Sequence, residues 1–208
     1  MTDYLIDGEN GNPLFIFAHG AGAGMDHAFM ESVAKGLATK GIQVVRFNFP
    51  YMVKRAEDGK KRPPDRAPKL LDAYQAVIEE FSSQGPIVIG GKSMGGRMSS
   101  LSADNEYVAG IACLGFPFHP PGKPENFKGD HLAELTKPTL ILQGERDTFG
   151  KREEFEGFTL SSSVSVEFVP DGDHSFKPRK KSGHTEEGNI ALAVDHLAQF
   201  IFEVYGEK

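Results

Sequence analysis

Six short apolar runs alternate with segments of helical periodicity along the chain. Residues 13–18 (PLFIFA), 42–49 (IQVVRFNF), 86–90 (PIVIG), 108–114 (VAGIACL), 138–142 (PTLIL) and 164–169 (VSVEFV) each read as a strand. They are short, mostly rich in β-branched or aromatic residues, and bounded by turn-forming residues. Between the first two, Phe29, Met30, Val33 and Leu37 recur at helical spacing after Asp26, which can cap the helix, and Gly41 ends it. Leu70, Leu71, Tyr74, Val77, Ile78 and Phe81 mark a second helix face, and Ile190, Val194, Leu197, Ile201 and Val204 a terminal one. A shorter helix is expected over 153–160. The polar stretch 50–69, broken by Pro63, Pro64 and Pro68, is expected to be a long loop.

Strands that are apolar on both faces and separated by helices imply a parallel sheet covered on each side. The expected fold is therefore α/β: a three-layer α/β/α sandwich around a mostly parallel sheet of about six or seven strands. At 208 residues, with no linker or repeat, one domain over residues 1–208 is expected. About twenty residues separate the 108–114 strand and its Phe116–Phe118 turn from the next strand, too few for a large cap. In such sheets ligands bind beyond the C-terminal strand ends, so the chemistry is sought in the loops that follow strands.

Composition removes several alternatives. Hydrophobic residues make up 39% and charged residues 25%, which excludes disorder as the general state. The longest near-apolar run, 108–118, is far short of the ~20 residues of a membrane span. The first eleven residues carry Asp3, Asp7 and Glu9 and no basic stretch, so no secretory signal is expected there. The single cysteine, Cys113, supplies neither a disulfide framework nor a cysteine metal site. A cytoplasmic setting is the expectation, with no membrane partner. The net charge of −6 argues against nucleic acid as a partner. Basic residues nonetheless concentrate in 54–69 and 177–181.

The 86–90 strand runs into Gly91-Lys92-Ser93-Met94-Gly95 and then a plausible helix from Gly96. Strand, sharp turn and helix are the context that a G-x-S-x-G nucleophile elbow needs. Small neighbours are required two residues on either side, where strand and helix nearly collide, and Gly91 and Gly95 meet that need. A phosphate-binding P-loop would need glycine at position 86, which is Pro, and the residues between are strand-like, so nucleotide hydrolysis is rejected. His19-Gly20-Ala21-Gly22 follows the first strand. Its glycines, Gly20 and Gly22, let a backbone approach a reacting carbon, and the Ala21 N–H is the expected oxyanion donor beside that of Met94. His19 itself reads as a loop brace.

The order serine, acid, histidine then selects Asp147, in Gly144-Glu145-Arg146-Asp147 after the fifth strand, with Glu145 as second choice. His174, in Gly172-Asp173-His174 after the sixth, is the expected base. Asp171, Asp173 and His174 form one clustered turn with no partner cluster, so no metal is expected. Phe116 and Phe118 are candidates for an apolar substrate wall, with a core role equally open. The basic segments, Arg62 among them, begin at the active-site face and suggest a small acyl substrate carrying a negative group.

These pieces, His19 to Gly22, Gly91 to Gly95, Gly144 to Asp147 and Gly172 to His174, resemble the α/β-hydrolase superfamily in order and spacing. With Asn48-Phe49-Pro50-Tyr51 and the Gly90-Gly91-Lys92-Ser93-Met94-Gly95-Gly96-Arg97 elbow, the chain is most similar to a small cap-less group. That group includes dienelactone-hydrolase-like proteins and the testis-expressed and NSL-complex hydrolase-like proteins. The resemblance implies up to eight strands, of which residues 4–6 are a remnant candidate beyond the six. It implies ester or thioester hydrolysis through Ser93, His174 and Asp147 without a cofactor. Because the group also includes assembly proteins, a catalytically idle binding or complex-assembly role is the alternative.

Overall fold

The computed structural model describes residues 3–11 and 13–206. Its strands are β1 (Tyr4–Asp7), β2 (Leu14–Ala18), β3 (Gln43–Phe47), β4 (Ile87–Lys92), β5 (Val108–Leu114), β6 (Thr139–Gly144) and β7 (Val164–Val169). The helices are α1 (Ala28–Thr39), α2 (Pro50–Asp58), α3 (Ala67–Phe81), α4 (Met94–Leu101) and α5 (Glu186–Gly206). The seven strands form one sheet in the order β1-β3-β2-β4-β5-β6-β7. Only β1 runs antiparallel, against β3. The residues 4–6 candidate is thus an edge strand, tied down by the buried Arg46 guanidinium, which donates to Asp7 at 2.7 and 3.1 Å.

Alternation along the strands sorts their side chains onto two faces. Ile16, Val45, Ile89, Ile111 and Ile141 pack under α3 and α4. Phe15, Val44, Val88, Ala112 and Leu142 pack under α1 and α5. The result is the expected three-layer α/β/α sandwich. The chain leaves β2 towards β3 on one side, and leaves β4 towards β5 on the other. The crevice at the C-terminal ends of β2 and β4 is therefore where parallel sheets of this kind bind ligands.

Three local expectations are corrected. The 50–69 stretch is not all loop, because α2 occupies its first nine residues. Pro50 starts that helix, where proline's missing N–H costs nothing and its fixed φ helps. The cap of α1 is His27, whose Nδ1 accepts from Phe29 N–H at 3.3 Å, not Asp26. The short helix expected over 153–160 is a 3₁₀ segment, Arg152–Gly157. Among the described residues, no helix is long and apolar enough to cross a membrane.

One buried hydroxyl joins the sheet to its helical layer at the site's edge. Tyr74 of α3 is fully buried, and its oxygen accepts from Gly90 N–H at 3.0 Å. The same oxygen lies 2.6 Å from the Gly90 carbonyl and 3.1 Å from that of Ile16, which share its one proton. Removing the hydroxyl takes this buried partner away from main-chain groups of β2 and β4. Tyr74→Phe is expected to lower the unfolding free energy by about 1–3 kcal/mol in urea titration.

Candidate active site

The turn from β4 into α4 places Ser93 at φ +52°, ψ −116°, a left-handed conformation strained for a residue with a side chain. The turn is so tight that a Cβ on Gly91 would stand 2.3 Å from the Gly95 carbonyl carbon. A Cβ on Gly95 would stand 2.4 Å from the Ala18 carbonyl oxygen. Glycine at both positions is thus a steric requirement of the elbow. Ser93 caps α4, whose first N–H groups have no intrahelical acceptor and face developing negative charge favourably.

Two turns at neighbouring strand ends complete the arrangement. His174, after β7, places Nε2 2.8 Å from Ser93 Oγ and Nδ1 2.8 Å from Asp147 Oδ2. A carboxylate only accepts, so Nδ1 carries the proton and Nε2 offers its lone pair to the serine hydroxyl. Asp147, after β6, is completely buried. Its Oδ2 also accepts from Gln143 Nε2 at 3.0 Å, and its Oδ1 from Phe149 N–H at 2.9 Å. The Phe149 ring stacks on the imidazole with centroids 4.2 Å apart. Burial pulls the His174 pKa below its ordinary value, opposed by the bond to Asp147 and aided by the nearby Lys92 ammonium. The imidazole is therefore in its neutral, proton-accepting form at pH 7.

The loop after β2 forms the other wall. His19 is buried, its Nδ1–H donating to the Gly20 carbonyl at 2.6 Å and its Nε2 accepting from Phe49 N–H at 3.0 Å. Tyr51 of α2 donates to the carbonyls of Gly20 and Ala21 at 3.2 and 2.9 Å, and Arg55 to that of Gly22 at 3.2 Å. The loop is thus anchored through its carbonyls by α2. A cavity of ≈ 300 Å³ opens here, lined by Gly20 to Ala23, by Phe29 and Met30 of α1, and by Ser93, Phe149 and His174.

Not every expected site residue reaches this cavity. Phe116 and Phe118 are fully buried, and Phe118 stacks on Phe158 at 4.6 Å within an aromatic cluster. They fill the core and do not line the cavity, whose apolar wall is made by Phe29, Met30 and Phe149 instead. Arg62 grips Asp58 with both terminal guanidinium nitrogens, at 2.6 and 2.5 Å, and does not line the cavity. Lys69 pairs with Asp65 and Arg179 with Asp171, so these cations of the basic segments are held by their own neighbours. Glu145 binds Arg152 and accepts from Asp171 N–H, away from the imidazole. Asp173 Oδ1 accepts from Ser175 and Lys177 N–H groups, and among the described residues no group of three or more His, Cys, Asp or Glu is arranged to hold a metal. Sequence reasoning missed Gln143, Phe149, Tyr51 and Lys92. The only signal was position, since Lys92 ends β4, Gln143 is next to last in β6 and Phe149 follows Asp147 in the same turn.

The sequence pattern of the alpha/beta hydrolase domain matches residues 11–202. The chain belongs to that family. Among solved structures, it is similar to an alpha-beta serine hydrolase homologue from Coxiella burnetii: 22% identity, TM-score 0.69, covering 94% of this chain and 89% of that one. A serine hydrolase without a lid from Xanthomonas campestris superposes with TM-score 0.69 at 20% identity, covering 95% and 88%. Dienelactone hydrolase from Anabaena variabilis gives TM-score 0.73 at 16% identity, covering 96% and 90%. At these identities the structural likeness establishes the alpha/beta hydrolase fold.

The buried His19 makes this alpha/beta hydrolase domain acid-sensitive. Burial pushes its pKa down to about 4. As pH falls below the unfolded value of 6.5, the unfolded chain takes up a proton that the folded one refuses. Stability is therefore fully present above pH 6.5 and declines until about pH 4. The expected loss from this group is about 3 kcal/mol, read from urea unfolding across that range. A folded His19→Asn variant should show a correspondingly shallower slope.

Proposed function

We propose that this protein is a serine hydrolase that cleaves a carboxylic ester or thioester of a small acyl substrate through an acyl-enzyme. The observation that carries the reading is the relay Asp147–His174–Ser93, continuous at 2.8 Å on each side of the imidazole. Ser93 Oγ attacks the acyl carbon while its proton passes to His174 Nε2. Asp147 stabilises the imidazolium so formed. The oxygen of the tetrahedral intermediate accepts from the N–H groups of Ala21 and Met94, at roughly 3–4 kcal/mol per donor in comparable enzymes. His174 then returns the proton to the leaving oxygen or sulfur as its bond to carbon breaks. Water attacks the acyl-enzyme with His174 again taking a proton, the acid departs, and Ser93 is restored. These steps consume only water.

Acyl size is the property that the cavity supports as selective. At ≈ 300 Å³ it is at the small end of ligand pockets. Paired as they are, Arg62, Lys69 and Arg179 lend no support to selection by negative charge.

Two measurements test the reading. The wild type should label with a fluorophosphonate and turn over nitrophenyl esters, with chains of about two to four carbons preferred over those of about ten. Ser93→Ala should abolish labelling and lower turnover by about 10⁴-fold or more. A folded wild type that neither labels nor turns over esters would leave the fold as a binding scaffold.

A further inference from the structure

Lys92 stands between Gly91 and Ser93, and its side chain is directed inward. It is 9% exposed and lines the cavity beside Ser93. Its Cγ lies near Gly20 of the loop after β2. Its Nζ donates to the main-chain carbonyl of His174 at 2.5 Å, across 82 residues of chain. Gly115, at φ +66°, leaves the room for this contact. A Cβ there would stand 3.0 Å from Lys92 Nζ, 3.0 Å from the His174 carbonyl oxygen and 3.3 Å from His174 Nδ1. The ammonium thus sits behind the imidazole, against the same backbone hollow.

Its surroundings make a structural role alone a poor account. Its Nζ also lies over the face of the Phe29 ring, 5.6 Å from the centroid. Asp147 and Asp173 are the acidic groups that face it, yet among the described residues no carboxylate oxygen lies within 4 Å of Nζ. A buried ammonium without a contacting counter-ion is costly, and an apolar side chain would fill the space at less cost.

We propose that Lys92 is a positioning residue for the base. Its ammonium ties the His174 main chain to the nucleophile elbow and adds to the effect of burial a positive charge that disfavours the imidazolium. The proposal rests on the serine-hydrolase reading. The charges facing the imidazole are Lys92 from the elbow, Asp147 from the turn after β6, and Asp173 from its own turn, with His27 at the start of α1 lining the same cavity. A cation there opposes formation of imidazolium, so removing it moves His174 protonation to higher pH. Lys92 is itself titratable, because burial pulls its pKa down to about 8 while Asp147 and Asp173 hold it up. Above that pH the His174 carbonyl loses its charged donor. The proposal therefore expects a rate that rises as His174 loses its proton and falls again near pH 8.

The test compares wild type, Lys92→Met and Lys92→Arg. Fluorophosphonate labelling rates are measured between about pH 5 and 10, alongside an NMR titration of the His174 imidazole. In Lys92→Met the imidazole should titrate at higher pH, the acid limb should move with it, and the inflection near pH 8 should vanish. Labelling at pH 7 should fall about 10–100-fold, as for a misplaced catalytic group. Lys92→Arg, permanently charged, should keep the wild-type imidazole titration and lose the alkaline limb. A folded Lys92→Met whose imidazole and labelling profile match the wild type overturns the proposal. If Lys92→Met does not fold, an alkaline inflection that stays near pH 8 in Lys92→Arg overturns it instead. A wild type that never labels defeats the hydrolase reading, whereas the NMR titration still decides whether Lys92 controls the imidazole.

Discussion

Close approach of three backbone segments at one point governs this molecule. The end of β2, the end of β4 and the start of α4 converge so tightly that added Cβ atoms at Gly91 and Gly95 would fall within 2.3 and 2.4 Å of backbone atoms. That crowding forces Ser93 into a left-handed conformation and leaves its hydroxyl in the mouth of the crevice. The strain is sustained by what surrounds it. β4 is buried along its whole length between β2 and β5, and both faces of the sheet are covered. A strand held this firmly can impose an unfavourable conformation on the residue that follows it.

The remaining parts of the site are supplied by elements with cores of their own. β6 and β7 deliver the turns that carry Asp147 and His174. Gln143 ties the Asp147 turn to the turn after β5, bonding to Asp147 as well as to the carbonyls of Phe116 and Gly150. A buried carboxylate needs such partners, since an unpaired charge in that position is strongly destabilising. On the opposite wall, α2 fixes the loop after β2 through Tyr51, whose phenol is pushed up to about pKa 12 by burial and so remains a donor. The polar apparatus is thus rigid on the acid and base side and on the loop side. Such preorganisation is what lets hydrogen-bond donors stabilise developing charge without rearranging.

Much of this was legible in the residues because it depends on local chemistry. Apolar runs bounded by glycine and proline located all six parallel strands, and the small residues flanking Ser93 announced the elbow. What escaped was set by tertiary register. Pro50 and the charges after it read as loop, although proline is welcome in a helix's first turn and the apolar face of α2, Tyr51 and Met52, is short. Phe116 and Phe118 lie just past a strand end, where sequence alone could not say whether they faced a cavity or the core. Arg62 belonged to a basic run, but the carboxylate that neutralises it lies four residues back, at Asp58, the last residue of α2, and the irregular chain after Gly59 folds back to it. The bonds of Gln143 and Lys92 reach turns that no local pattern connects to them.

The central claim is that Ser93, His174 and Asp147 act together beside two inward-facing amides. It is tested most directly by a crystal structure of the protein with a short alkyl boronic acid, which mimics the tetrahedral intermediate. The account predicts a covalent bond from Ser93 Oγ to boron. One boron-bound oxygen should lie within hydrogen-bond distance of the Ala21 and Met94 N–H groups, and another should face His174 Nε2. A boronate bound elsewhere, or Ser93 left unmodified with the imidazole turned away, would contradict it.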